Sequence, residues 1–365
     1  YKDNIVGNGE DETPKTAQWA ETLTAIPAKR RIQLAPEIGN AKAAWISQGW
    51  GLQRTSNGEQ ASRAIMMLPI VSGHIGKPGT NSGGWGGNIS YSVPGLAIPN
   101  PIKTKIPCFM WTDAIVRGKE MTAKNANVKG ADRLNNNIKF LWNYSSNTTM
   151  NQHSDLNKTH EILVDESLCE FIVVWDTNFT NTANYADLLL PDASSVEVND
   201  LINNSYASGA YHYATLIENT IEPLWECRPS YDVLTEVAEK LGIKDEFTEG
   251  RTLKQWIEHC YNLMRDKNPN IPEFNEAVGV VDRKLTTSPE ASIAYFDFVR
   301  DPIAHPLGTP SGKIEIYSEL LADMGKNWEL PEGDKIPAIP EYCPTPEGTH
   351  NREMMRKHPF QMVGY

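Results

Sequence analysis

The sequence predicts an α/β protein built on a doubly wound, largely parallel sheet. Three observations carry this. Short apolar runs recur at 43–46, 138–143, 171–175 and 186–190. Stretches of helical periodicity separate them, as crossover connections between parallel neighbours require. Three of the runs end in small or polar residues: Gly49-Trp-Gly51, Asn143-Tyr-Ser-Ser-Asn147 and Asp176-Thr-Asn178. In an open α/β sheet, ligands bind outside the carboxyl ends of the strands.

In chain order, residues 16–44 read as two helical runs, with Pro27 placed to start the second. Trp45-Ile-Ser-Gln48 reads as a covered strand that breaks at Gly49 and Gly51, where the backbone N–H groups lie open to a ligand. Asn57 is placed to cap a helix running to about Ser72. Gly73 to Gly95 is glycine-rich and cannot pack a core of its own. It is either a flexible linker or a backbone-rich ligand cradle; Trp85 and Tyr91 favour the cradle. The stretch 100–136 reads as irregular. Ile138–Asn143 is a second strand, followed by a helix over 155–165. Phe171–Trp175 is a third strand, and Ala186–Leu190, closed by Pro191, a fourth. Beyond Pro191 the chain becomes helical and loop-rich. Residues 229–242 and 253–264 are amphipathic helices, and Gly312–Tyr317 alternates like a short strand. The proline-rich stretch at the end reads as an extended linker.

The chain has 365 residues, is 40% hydrophobic and 22% charged, and carries a net charge of −12. That balance argues against a nucleic-acid partner. The sequence contains no apolar run long enough to span a membrane and no targeting signal. It opens on Tyr1, without an initiator methionine, and reads as a middle piece of a longer polypeptide. The five cysteines form no C-x-x-C pair, so no local iron–sulfur or zinc cradle is expected. The eight histidines do not cluster, and no Ser/His/Asp set stands out.

The candidate site is the set of strand ends on one expected crevice. Backbone N–H groups at 49–51 and 145–147 hold phosphate without needing lysine, which suits an acidic chain. Asp176, followed by Thr177, can accept hydrogen bonds from a guanine edge or a ribose. The plainer reading of each is structural: Asp176 as a cap, Asn147 as a turn. Asp187 and Asp192 flank Leu188-Leu-Leu-Pro191. A strand-end cap is the simple account of Asp192, and Asp187 is kept as a further binding candidate.

Several stretches together resemble one family. They include Ile46-Ser-Gln-Gly-Trp-Gly51, Arg63-Ala-Ile-x-Met-Leu-Pro-Ile70, Gly79-Thr-Asn-Ser-Gly83, Phe109-Met-Trp-Thr-Asp-Ala-Ile115, Asn151-Gln-His-Ser154, Tyr185-Ala-Asp-x-Leu-Leu-Pro-Asp192 and Thr309-Pro-Ser-Gly-Lys-Ile-Glu-Ile-Tyr-Ser318. These are similar to the molybdopterin oxidoreductases, in particular the catalytic subunits of the dimethyl sulfoxide reductase branch. The resemblance covers nearly the whole chain. It implies a bis(molybdopterin guanine dinucleotide) molybdenum cofactor in a two-domain core. Gly49, Trp50, Gly51 and Gln53 match the family's glycine turn at the pterin. Asn81, Ser82, Gly83 and Gly84 match the following Gly/Asn loop, although the arginine common there is missing. Asn143, Tyr144, Ser145, Ser146 and Asn147 match a second turn, and Asp176 matches the acid that reads guanine.

The resemblance further implies reduction of small S-oxides or N-oxides in anaerobic respiration. A [4Fe–4S] cluster and the metal-ligating serine are expected upstream of this stretch, and a closing barrel downstream. Implied partners are an iron–sulfur electron-transfer subunit and a membrane anchor subunit, with the complex at the periplasmic, outward face of the membrane. The expected segments are 1–42, the helical end of one α/β domain; 43–245, the cofactor-binding region; 246–330, a helical and loop-rich extension; and 331–365, a linker. Alternatives within the class act on selenate, polysulfide, nitrate or formate. An alternative outside it is a non-catalytic nucleotide-binding module.

Overall fold

The computed structural model describes residues 1–81, 83–84, 93, 100–152, 155–203, 213–277, 282–286, 293–345 and 347–360. The chain forms two compact units, one of residues 1–87 with 290–365 and one of residues 88–289.

The first unit opens with helices α1 (Lys2–Val6), α2 (Ala17–Thr24), α3 (Ala28–Asn40) and α4 (Gly58–Val71). Thr16 caps α2 by accepting from Trp19 N at 3.0 Å, and Pro27 precedes α3 as expected. The expected strand at 45–48 does not form. Side chains, not a strand ladder, hold that segment: Ile46 N donates to Asn81 Oδ1 (3.0 Å), and Gln48 Nε2 donates to the carbonyls of Ser62 and Gly83 (both 3.2 Å). Asn57 does occupy the position before α4. It sits in the left-handed region, however, and its amide donates to Pro344 O (3.3 Å) without capping the helix.

The second unit contains the parallel sheet. α5 (Trp111–Arg117) lies in the stretch expected to be irregular. Around it Ala114, Met121, Ala126 and Val128 form a small buried cluster. Strands β1 (Phe140–Tyr144), β2 (Phe171–Asp176) and β3 (Leu188–Pro191) are parallel, in the order β1-β2-β3. α6 (Leu156–Leu163), capped by Asp155, connects β1 to β2. Ile172 and Val174 of β2 pack with Ile115 of α5 and Ile162 and Leu163 of α6. On the alternate face Val173 and Trp175 are buried beside Trp142 and Tyr144, whose rings lie 6.2 and 5.2 Å from that of Trp175. This alternation follows from the two-residue period of a strand.

A second, antiparallel sheet was not legible in the sequence. It joins β4 (Asp200–Asn203), β5 (Tyr213–Ile217) and β6 (Asp282–Thr286). β6 falls in the span expected to be loop. α7 (Ser230–Lys240), α8 (Lys244–Thr248), α9 (Leu253–Asp266) and α10 (Phe274–Ala277) complete this unit. Tyr261 and Met264 of α9 close over Leu201, Ala214 and Leu216. A capping box between Thr252 and Gln255 starts α9.

The chain then returns to the first unit with α11 (Phe296–Arg300), α12 (Glu319–Asn327) and α13 (Arg352–Lys357). Residues 312–317 form no strand. The stretch expected to be a linker is extended but docked. Arg63 of α4 donates to the carbonyls of Pro337 (2.9 Å), Ala338 (2.8 Å) and Ile339 (3.4 Å).

Candidate functional site

In the first unit the two expected cofactor stretches share one scaffold. Gly49, Trp50 and Gly51 lead into a short 3₁₀ turn, Leu52–Arg54, that includes Gln53. The turn is pressed against α4 at Gly58, where an added Cβ would lie 2.0 Å from Leu52 O. Asn81 is buried, and its Oδ1 also accepts from Gly83 N at 3.4 Å. Gly83 has φ +78, and a Cβ there would sit 2.8 Å from Met66 Cα. Gly84 follows, half-buried; Ser82 lies outside the described residues. Gln48 and Asn81 therefore tie the 45–51 segment to the glycine loop.

The glycines of this scaffold are of two kinds. Gly58 and Gly83 are required by close approach within the chain. Gly49 and Gly51 are not: neither has a left-handed φ, and among the described residues nothing lies within 4 Å of either Cβ position. Their missing side chains leave room for something other than this chain. Buried polar atoms without a partner among the described residues lie in the same scaffold: Gln48 Oε1, Asn81 Nδ2 and Ser62 Oγ. Buried polar groups without partners are costly unless a ligand or water satisfies them. The arrangement fits a polar, backbone-contacting cofactor.

In the second unit the turn after β1 is strongly organised. Ser145 sits in the left-handed region (φ 46), and its N–H donates to Trp175 O at 2.8 Å. Asn143 holds the turn through Ser146 O and accepts from Thr149 Oγ1 at 3.1 Å. Ser146 Oγ lies 2.8 Å from Thr148 Oγ1. Asn147 Oδ1 accepts from the N–H and hydroxyl of Thr182 (3.1 and 2.9 Å). The Asn143 and Asn147 side chains thus build the turn; the Ser145 N–H is committed to Trp175 O, which leaves the N–H groups of Ser146 and Asn147 to meet a ligand. Asp176 ends β2. Its Oδ1 accepts from Asn178 N (3.3 Å), which leaves acceptor capacity on a carboxylate. Thr177 beside it is exposed.

Asp187 is placed apart from these. It precedes β3 at the amino end of the sheet and exchanges two hydrogen bonds with Ile172: Ile172 N donates to its carboxylate (2.7 Å), and its own N–H donates to Ile172 O (2.9 Å). Its carboxylate clasps two strands, the structural account of a strand-flanking acid. Asp192, set aside as a cap, is buried at the carboxyl end. It hydrogen-bonds the Tyr144 hydroxyl, which also meets Ser230 at the start of α7. Burial raises the Asp192 carboxyl above its ordinary value, and the negative charge of Asp176 adds to this. Gln48, Gly58, Asp192 and Ser230 were missed as site supports. A polar residue inside an apolar run was the available signal for Gln48; nothing local marks Ser230.

A parallel sheet with organised turns at its carboxyl ends, and a glycine scaffold open to an outside group, define a cofactor-binding α/β protein. Residues 7–240 match the molybdopterin oxidoreductase family, and the chain belongs to that family. It is 46% identical over 368 residues to dimethyl sulfoxide reductase DmsA of Haemophilus influenzae, covering 100% of this chain and 45% of that protein. It is 48% identical over 371 residues to the putative dimethyl sulfoxide reductase chain YnfE of Escherichia coli, with coverage of 100% and 45%. DmsA of Escherichia coli is 46% identical over 371 residues, again with 100% and 45% covered. The chain therefore spans just under half the length of these curated relatives.

Proposed function

We propose that the chain is the cofactor-holding part of a molybdenum oxidoreductase that reduces S-oxides or N-oxides, of the dimethyl sulfoxide reductase type. One observation carries this furthest: among the described residues nothing approaches the Cβ positions of Gly49 and Gly51, on a scaffold holding buried polar atoms that have no partner there. Family membership supplies the class of group that needs the space, a molybdenum–molybdopterin cofactor. The names of the relatives supply the substrate class.

We take the cofactor as the bis(molybdopterin guanine dinucleotide) form, and the chain as part of a doubly wound, two-domain core. The metal supplies two-electron chemistry; these residues bind and orient its organic part. Gly49, Trp50, Gly51, Gln53, Asn81, Ser82, Gly83 and Gly84 contribute a backbone-rich surface to the pterin dinucleotide. In the turn Asn143, Tyr144, Ser145, Ser146, Asn147, the N–H groups of Ser146 and Asn147 are the ones offered to phosphate. Asp176 accepts from the guanine edge, and Thr177 adds a hydroxyl. The proposed cofactor segment is 43–245.

In the whole protein, the proposed electron route is a [4Fe–4S] cluster outside this stretch, fed by an iron–sulfur subunit and a membrane anchor subunit. The complex would sit at the outward, periplasmic face. Among the described residues no helix is long and apolar enough to cross a membrane. The test is metal analysis of the full-length protein, with guanine nucleotide release on acid hydrolysis. Molybdenum together with GMP is the expected result. A preparation holding neither overturns the proposal.

A further inference from the structure

The loop between β5 and α7 presents a side chain that its own unit does not use. Trp225 is 93% exposed and adopts a left-handed backbone, φ 54. A bulky residue is strained there and gains nothing locally in return. Leu224, Ile221 and Val196 are exposed nearby in the same loop system. A single exposed apolar residue is ordinary; a cluster around a strained tryptophan is not.

The loop is also held rigidly. Glu197 is buried, and its carboxylate accepts from Leu224 N (2.7 Å), Ser194 N (2.7 Å) and Ser194 Oγ (2.6 Å). Thr220 N donates to Val196 O (2.8 Å), and Cys227 N to Leu224 O (3.0 Å). A buried carboxylate is thus committed to fixing the residue just before Trp225. A pre-set aromatic anchor loses little entropy on docking, which is why tryptophan dominates many interfaces.

Charge narrows the occupant. Exposed Glu222 and Glu226 flank Trp225. The nearby cation Arg228 is engaged by Glu236, at 3.1 Å for one of its two contacts. The rim is therefore acidic. An anionic membrane surface is repelled, and a second copy of this chain would bring the same glutamates against their like.

We infer that the 221–226 loop docks a separate protein subunit, through an apolar slot that takes Trp225 and is rimmed by lysine or arginine. This rests on the proposed function, which supplies the iron–sulfur subunit as the partner to test.

The experiment uses the complete polypeptide, alone and with that subunit. Oxidative footprinting should label Trp225 in the free polypeptide and spare it in the complex. Trp225→Ala should weaken the subunit's affinity about tenfold or more. Glu222→Lys with Glu226→Lys should weaken it at low salt, with the effect fading as salt rises. Molybdenum content and turnover driven by a reduced viologen should be unchanged in both variants. Protection of Trp225 in the polypeptide alone, whether by its own chain or by self-association, overturns the inference. So does wild-type affinity in Trp225→Ala. Absence of molybdenum would instead overturn the proposed function, so the two failures are distinguishable.

Discussion

The backbone N–H of Asp192 donates to the carbonyl of Asp176 across 3.1 Å, so the carboxyl ends of β2 and β3 carry two acids on adjoining strands. Their surroundings separate their roles. Asp176 ends β2 half-buried beside an exposed threonine, while Asp192 is buried beneath Tyr144.

Asp176→Ala removes a charged acceptor that, among the described residues, serves Asn178 N. Hydrogen bonds to charged groups are worth about 1.5–3 kcal/mol. Cofactor retention in the full-length protein should fall roughly ten- to hundredfold, and the thermal midpoint of cofactor-free protein should hardly move. Molybdenum analysis together with thermal melting checks both; unchanged molybdenum content would remove Asp176 from the site.

Asp192→Asn keeps an acceptor for the Tyr144 hydroxyl and removes a buried charge. Burial, reinforced by Asp176, places the folded carboxyl above its unfolded value of about 4. Such a group adds stability below the unfolded value and loses it as pH rises through the folded one. The variant should therefore match wild type in acid and become the more stable protein toward neutral pH. Melting curves across that range read the difference directly, and an advantage confined to acid would contradict the sign.

The two kinds of glycine predict opposite outcomes. Gly83→Ala combines φ +78 with a 2.8 Å approach to Met66 Cα. It should cost about 1–3 kcal/mol of stability. Gly49→Ala and Gly51→Ala meet nothing within 4 Å among the described residues. They should leave stability within about 0.5 kcal/mol while lowering cofactor content. If all three variants lose stability alike, the open space at 49 and 51 is not a ligand's.

Arg63→Ala removes the donors that hold Pro337, Ala338 and Ile339. A loss of about 2 kcal/mol is expected. Proteolytic cutting should appear within 331–345. A protease map identical to wild type would show that the strap is held by other contacts.

Much of the second unit was legible in the sequence. The runs at 138–143, 171–175 and 186–190 became β1, β2 and β3, with the continuous apolar run of the central strand β2 buried on both faces and its neighbours β1 and β3 more exposed. The helices at α3, α4, α6, α7 and α9 followed their apolar spacing, with side-chain caps at α6 and α9. The antiparallel sheet was hidden: β5 pairs β6 across more than sixty residues, and no local signal announces a partner that distant. The run at 43–46 misled because apolar content alone does not separate a strand from an extended segment held by side chains.

The sequence by itself determined the periodic elements, the punctuation by glycine and proline, and the motifs that place the chain in its family. These are local properties, written in the spacing of side chains. Only the tertiary structure decided which carboxylates are committed to the fold. Asp187 clasps two strands, Glu197 braces a loop, and Asp192 is buried under Tyr144, while Asp176 retains room to accept from a ligand. It also separated Gly49 and Gly51 from Gly58 and Gly83. The physical reason is the same in each case: whether a polar atom or a missing Cβ is spoken for depends on what the chain brings against it from far along its length.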